Sequence, residues 1–380
     1  MEKEIKYIGF YDTPNSEYKR VCSVPAVNKM DYICDAINRA GYKVHIISPS
    51  WFTNVVNSLK YKGTTTVQLN ENKKVTFAPS FGTSIKGLSY VKIMLSLSWL
   101  FFWLVFNVKR NEKILVYHAQ WFSLPIRWAK QIKKFHLILE VEEIYGEVWQ
   151  TKNTLKKWEQ KLIKNADSFL AVSDVLAKIL GDKVQIVIYG NYALPQYKEN
   201  PVKYIGVNIV YAGSIDHTKG GAYNTVKCAG LLPENYTVHI CGFGDANEVW
   251  KLKEMILQVN EKLSRKAVIF HGAIPDEFFS DFLHSCQIAI NPQKDGENMT
   301  TLFPSKIIKY LSHNLRVVST RIESIGKSSI APLITFSEND SPESIVRAIL
   351  QLDLNKDYNS RNFIKKLDKK FVDQIKELLE

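Results

Sequence analysis

Residues Thr300–Ser319, TTLFPSKIIKYLSHNLRVVS, read as a strand end, a helix and the next strand. Ser305, after Pro304, is the expected N-cap; Ile307, Ile308 and Leu311 then fall on one helical face, with Lys306, Lys309 and His313 on another. A helix start carries partial positive charge and unpaired N–H groups, so lysines there are unfavourable unless an anion meets them. The stretch therefore expects a phosphate, or else it is a solvated surface helix whose lysines keep the protein soluble. A single charge near a helix end costs under roughly 1 kcal/mol, so these residues alone leave both readings open.

Outward from this stretch, apolar runs and helical patterns alternate, as in a parallel sheet with crossover helices. Strands are expected at Asn208–Ala212, Thr237–Cys241, Ala267–Phe270, Ile288–Asn291, Arg316–Ser319 and Leu333–Phe336. Helices are expected between them near Ala222–Leu231, Ala246–Leu263, Asp276–Cys286 and Ser305–His313. The first half repeats the pattern, with strands at Tyr7–Phe10, Val44–Ser48, Val75–Ala78, Ile114–Tyr117, Leu137–Val141, Ser168–Val172 and Val184–Tyr189. Its helices fall near Ala26–Ala40, Leu124–Ile132 and Leu155–Lys164. Around Gly190–Val207 the periodicity breaks in a polar stretch holding Pro195 and Pro201, which reads as a linker. The fold class is thus α/β, with two Rossmann-like domains facing a central cleft: 1–195, 205–350, and a helical tail over 351–380 packing across them.

The chain has 380 residues, long enough for two domains. Its net charge of +12 implies attraction to something anionic, whether nucleic acid, an acidic lipid surface or a phosphorylated substrate. The basic residues are spread along the chain, not gathered with aromatics in a stripe, so no nucleic-acid partner is expected. The five cysteines form no C-x-x-C pair and are odd in number, which argues against a disulfide framework or a zinc site and for a reducing cytoplasm. No signal peptide is expected, because Met1–Lys6 is charged and leads into a strand-like run.

Leu95–Phe106, LSLSWLFFWLVF, is the most apolar stretch, with Lys92 upstream and Lys109, Arg110 and Lys113 after it. A membrane span needs roughly 20 apolar residues. Three readings stand: a buried crossover helix, a transmembrane helix, or a helix dipping its Trp99, Phe102 and Trp103 side into an anionic membrane interface.

Two glycine-bearing stretches carry phosphate chemistry. In Asn208–Gly221, NIVYAGSIDHTKGG, a strand runs into a loop with Gly213, Ser214, Lys219 and Gly220. Glycines let backbone N–H groups approach an anion and a lysine adds a point charge; the alternative is a plain strand-to-helix turn. Thr237–Asp245, TVHICGFGD, repeats the logic through Gly242 and Gly244, but Asn247 replaces the third glycine of a dinucleotide fingerprint.

Taken in order, YAGS…KGG, HICGFGD, FHGAIP, INPQKDG, FPSKIIKYLS and VVST resemble the donor-binding domain of GT-B glycosyltransferases of the large retaining family four, in the Phe-Pro-Ser-Lys form of capsule and exopolysaccharide enzymes. The likeness covers most of Ile205–Leu350; the first half resembles the acceptor domain more loosely, through NKMDYICDAINRAGYKVHIISPS, YHAQW and ADSFLAVSD. The resemblance implies a nucleotide-diphosphate sugar, most simply a UDP-sugar, in the cleft, with Lys219 and Lys306 facing the diphosphate. Neutralising the departing pyrophosphate is what such an enzyme most needs, and no metal or other cofactor is then required. No D-x-D motif occurs in the chain.

The family's two glutamates, eight positions apart, align with Thr301 and Lys309. In the family the second contacts donor ribose hydroxyls, so Lys309 is a departure; Glu297, in the loop before, is a carboxylate that could serve from a different place, though its spacing does not match. In the first half the resemblance has His118 bond the transferred sugar, the alternative being a packed histidine. Among Glu140, Glu142 and Glu143, which follow the next strand, Glu142 or Glu143 is the expected base, against a solvated acidic turn. Tyr11, Trp121, Tyr145 and Trp149 are candidates to stack on sugars, or are simply core. The implied function is sugar transfer from a nucleotide donor to a bacterial surface glycan, free or lipid-linked, in the cytoplasm or at the inner face of the membrane. The rivals are a silent GT-B subunit of a polysaccharide complex and a nucleotide-sugar epimerase.

Overall fold

The computed structural model describes residues 3–14, 16–53, 60–145, 153–196, 204–218, 220–294 and 301–380. Lys219, Glu297 and Trp149 lie outside the described residues. The chain divides into two compact units, Met1–Asn191 with Lys369–Glu380, and Tyr192–Asp368.

The first unit runs β1 (Glu4–Ile8), α1 (Val24–Arg39), β2 (Lys43–Ser48), β3 (Tyr61–Lys62), β4 (Thr65–Asn70), β5 (Lys73–Phe77), β6 (Ser80–Phe81), α2 (Lys86–Asn107), β7 (Lys113–Tyr117), α3 (Ser123–Lys133), β8 (His136–Val141), α4 (Asn153–Asn165), β9 (Ser168–Ala171), α5 (Asp174–Leu180) and β10 (Val184–Val187). Its sheet has the order β10-β9-β8-β7-β1-β2-β5-β4. Neighbours pair in parallel except β4, which folds back antiparallel on β5. The central strands ILVY and LILEV are near-continuously apolar because helices cover both faces. Right-handed crossovers put α1 on one face and α2, α3 and α4 on the other, where α3 lies between α2 and α4. On the α1 face, Phe371 stacks on Tyr32 with centroids 5.6 Å apart. The apolar run Leu95–Phe106 is the later part of the longer helix α2, which continues the pattern back to Lys86.

The second unit runs β11 (Val207–Ala212), α6 (Gly221–Ala229), β12 (Tyr236–Cys241), α7 (Ala246–Lys262), β13 (Val268–Gly272), α8 (Asp276–His284), β14 (Ile288–Asn291), α9 (Lys306–Ser312), β15 (Arg316–Ser319), α10 (Glu323–Gly326), β16 (Ile334–Phe336) and α11 (Pro342–Leu350). The last helix, α12 (Ser360–Leu379), begins in this unit and ends in the first. Its sheet, β13-β12-β11-β14-β15-β16, is parallel throughout. Ile209, Val226, Ile240, Ile290 and Ile345 belong to its core. Among the parallel strands of each unit the order reverses once, between β1 and β7 and between β11 and β14. Such switch points open a crevice beyond the strand C-termini, where open α/β sheets bind ligands.

Candidate active site

At the second unit's switch point, Tyr310 of α9 holds that helix to the end of β11. Its hydroxyl accepts from the Ala212 N–H at 2.8 Å and donates to the Ala212 carbonyl at 3.2 Å. One turn earlier on the same helix, Lys306 is thereby brought back over β11, its Nζ 4.3 Å from the Tyr211 ring centroid. A Cβ built on Gly213 would lie 3.6 Å from that Nζ. Tyr211 in turn donates to the Ser214 carbonyl at 3.2 Å. Lys306, Gly213 and Ser214 thus come together as a cation beside a strand-end loop, the ring face helping to hold the ammonium.

Gly220 adopts a left-handed φ of 69° at the N-cap of α6. Its open side is covered by Lys294 from the loop after β14, whose Cε would stand 2.8 Å from a Cβ at that position. Lys294 is a second cation on the crevice that the sequence reading passed over inside INPQKDG; nothing in the spacing links it to Gly220 before the two loops are folded together.

Three expectations change. Gly242 and Gly244 have a packing reason to lack side chains: a Cβ on Gly242 would overlap the Gly213 carbonyl oxygen, and one on Gly244 that of Ile215. These glycines let two neighbouring loops lie against each other, and the Gly213 N–H is itself donated to the Cys241 carbonyl at 3.0 Å. Ser305 has helical dihedrals and makes no side-chain cap; the Ile307 and Ile308 N–H groups donate to the Pro304 and Ser305 carbonyls at 3.0 and 3.1 Å, a tight first turn that leaves the hydroxyl unused. His313 is buried, not on an open face with the lysines. Burial, and then the charges of Lys309, His284 and Arg361, push its pKa down to about 3. Lys309 itself is exposed. Partial desolvation lowers its pKa, and Asp276 opposes that shift.

In the first unit, His118 follows β7 at the switch point and is completely buried. Its Nδ1 is 3.1 Å from the Glu143 carbonyl oxygen. Its Nε2 is 3.4 Å from Glu159 Oε1, without hydrogen-bond geometry. Burial lowers the His118 pKa against the opposing pull of Glu159 and the Glu143 carbonyl, so the ring is neutral at pH 7. The Glu159 carboxylate also accepts from the Tyr145 N–H at 2.8 Å and from Gln120 Nε2 at 3.0 Å.

Beside it, the Tyr7 hydroxyl donates to Glu140, while Lys29 of α1 pairs with Glu142 and lies 3.7 Å from Glu140. Burial raises the Glu140 pKa; with Lys29 opposing and Glu142 adding to the rise, it is pushed up to about 8. Glu142 is therefore tied to a cation, and Glu143 contributes its backbone carbonyl. Lys29 and Glu159 were missed, although Lys29 had a signal: it shares the buried α1 stripe of Ile33 and Ile37, and a lysine on an apolar stripe calls for a buried carboxylate. Of the aromatic candidates, Tyr11 is buried and donates to Asp31 at 2.8 Å, whereas Trp121 is exposed and meets Trp51 edge-on.

The fold is shared by solved structures that align over nearly the whole chain at 13% identity or less. Residues 206–355 match the profile of the family described as "Glycosyl transferases group 1". No curated protein matches the sequence. Among solved structures, sucrose-phosphate synthase from Thermosynechococcus elongatus is similar with a TM-score of 0.70 at 13% identity, over 99% of this chain and 98% of that one. An E. coli trehalose-6-phosphate structure bound with UDP-2-fluoro glucose has a TM-score of 0.67 at 11% identity, over 99% and 98%. Anabaena HepE in complex with UDP and glucose has 0.63 at 11% identity, again over 99% and 98%.

Proposed function

We propose that the protein moves a sugar from a UDP-sugar, bound by the second unit, to a bacterial surface glycan, free or lipid-linked, bound by the first. The observation that carries this reading is Lys306 drawn over Tyr211 against the Gly213 loop, at the crevice where a parallel sheet takes its ligand. An ammonium there meets the charge that builds on the leaving diphosphate as the glycosidic bond breaks. Lys294 stands across the same crevice, and Lys219 belongs to the same loop by sequence. In this reading these cations do the work for which other transferases recruit a divalent ion, and the reaction is metal-independent. The choice of uridine draws on two structural neighbours that hold UDP or a UDP-sugar. Retention of anomeric configuration and a capsule or exopolysaccharide product follow from the Phe-Pro-Ser-Lys resemblance. In this reading the enzyme works in the cytoplasm, at the inner face of the cell membrane.

Lys309 stands where the resemblance calls for a ribose-binding glutamate. Lysine only donates hydrogen bonds, so ribose recognition moves to another acceptor, such as Glu297 or a backbone carbonyl. A thermal-shift panel of nucleotide sugars tests the whole reading. A donor at 100 times its Kd adds about 2.7 kcal/mol of apparent stability. Nucleoside-diphosphate release from the stabilising donor, slow without acceptor, is the expected second result. A panel in which no nucleotide sugar shifts the melt would end the proposal.

A further inference from the structure

Helix α2 is built inside out for a helix on a soluble domain. Its buried line is Lys92, Ser96, Leu100 and Leu104; Lys92 Nζ donates to the Phe52 carbonyl at 2.7 Å and Ser96 Oγ to the Pro79 carbonyl at 3.5 Å. Its outer line is apolar except for Ser98: Tyr90 is 70% exposed, Met94 62%, Phe102 55% and Phe106 79%. A surface helix ordinarily turns its polar residues outward. On the neighbouring α3, Trp128 and Ile132 are also more than half exposed. The rings form one continuous row, Trp128 to Phe101 at 6.4 Å, Phe101 to Phe102 at 5.1 Å, and Phe102 to Phe106 at 6.5 Å. This row lies on one helical layer, at the C-terminal end of α2.

The row ends in positive charge. Lys109 and Arg110 follow α2, Lys134 follows α3, and all three are exposed. The Asn111 N–H donates to the Lys134 carbonyl at 3.1 Å, which ties the two turns together. The carboxylate in that turn, Glu112, is engaged by Lys6 and by the Lys109 N–H.

We propose that this face is a docking surface for an anionic lipid bilayer, with α2 lying in the plane of the membrane, its aromatic row in the headgroup and upper acyl region and its basic end on the headgroups. Gly87–Asn107 is long and apolar enough to cross a membrane. Crossing, however, would pull Lys92 off the Phe52 carbonyl and strip the inner line from the domain. It would also part α2 from β7, a strand paired on both sides and only five residues beyond Val108 by sequence number. Charge decides between a bilayer and a second copy of the chain: a surface of +12 net charge with a basic cluster at the patch is drawn to anionic lipid and repels itself. The inference stands apart from sugar transfer, since docking needs neither donor nor acceptor; it would bring a lipid-linked acceptor within reach.

Flotation of the full chain with vesicles tests it. Binding is expected to phosphatidylcholine vesicles containing phosphatidylglycerol, weaker to phosphatidylcholine alone, and declining as salt rises. Phe102→Ser, Phe106→Ser and Trp128→Ser combined should lower binding by at least about tenfold, and Lys109→Glu with Arg110→Glu by at least about fivefold per residue. Wild-type tryptophan quenching by brominated lipids should be strong for bromines near the headgroups and weak for deep ones, which decides the matter even if the triple variant does not fold. No binding to anionic vesicles at low salt overturns the proposal, as does binding untouched by the triple variant. So does a triple variant whose only change is loss of a dimer, or attachment that resists salt and alkali and yields only to detergent, which would mean a membrane-spanning helix.

Discussion

Lys306 reaches back from the first position of α9 to stand over the face of Tyr211, because Tyr310, one turn on, fastens that helix to the backbone of Ala212. The cation is therefore placed by a buried tyrosine, not by the flexible stem of its own side chain. Lys306→Ala is expected to lower turnover by roughly 10²-fold, by analogy with losing one donor to a developing oxyanion, with the melting temperature unchanged. Tyr310→Phe should also cut turnover while leaving Lys306 in the chain. Steady-state kinetics of both folded variants check this; wild-type rates in Lys306→Ala remove the residue from the site.

Lys309→Glu returns a hydrogen-bond acceptor to the exposed face of the same helix. If ribose recognition has moved elsewhere, wild-type protein binds uridine diphosphate and the variant gains little or loses affinity with the cation. Calorimetric titration of both proteins is the measurement. Tight binding in the variant alone would contradict a working uridine site in the wild type.

Glu140 titrates at about 8 when folded, against 4.5 for an ordinary glutamate, so between those values the unfolded chain loses a proton that the folded chain keeps. Its contribution to stability is fully present below pH 4.5 and is lost as pH rises through about 8. His239 and His313 carry the opposite sign: burial lowers them to about 4 and about 3, so their contribution is present above pH 6.5 and is lost as pH falls toward those values. Urea unfolding across pH 5 to 8 should show Glu140→Gln gaining on wild type as pH rises. Parallel curves would mean that Glu140 is ionised in the folded protein.

Gly242 has a φ of 152° and no room for a Cβ beside the Gly213 carbonyl. Gly242→Ala is expected to destabilise the protein by about 2 kcal/mol or more, since backbone and loop must both shift. Chemical denaturation checks the value, and a near-neutral result would show that the two loops are freer than drawn.

The inside-out polarity of α2 predicts an unusual pair of stabilities. Lys92→Met removes the donor to a buried carbonyl and should cost about 1–3 kcal/mol, whereas Phe106→Ser on the outer line should change stability by less than about 0.5 kcal/mol. Denaturation midpoints of the two variants are the readout; the reverse order would mean that the helix is turned the other way.

Much of this protein was legible in the residues themselves. Alternating apolar runs such as ILVY and NIVYA with amphipathic helices specify two parallel α/β layers, because a strand covered on both faces must be apolar throughout and period 2 differs from period 3.6. The order of short motifs from YAGS to VVST pointed to the same region that the family profile matches, and Lys306 was singled out because a lysine at a helix start is costly without an anion. What spacing could not show was which distant groups meet. That Lys294 covers Gly220, that Gly242 is a glycine on account of Gly213, that Lys29 joins Glu140 and Glu142, and that α2 turns Lys92 inward and Phe106 outward are decided by crossover connections that bring residues tens or hundreds of positions apart into contact. Local periodicity determines which elements form; the energy of burying and pairing their side chains is set by neighbours in space, and only the tertiary structure names those neighbours.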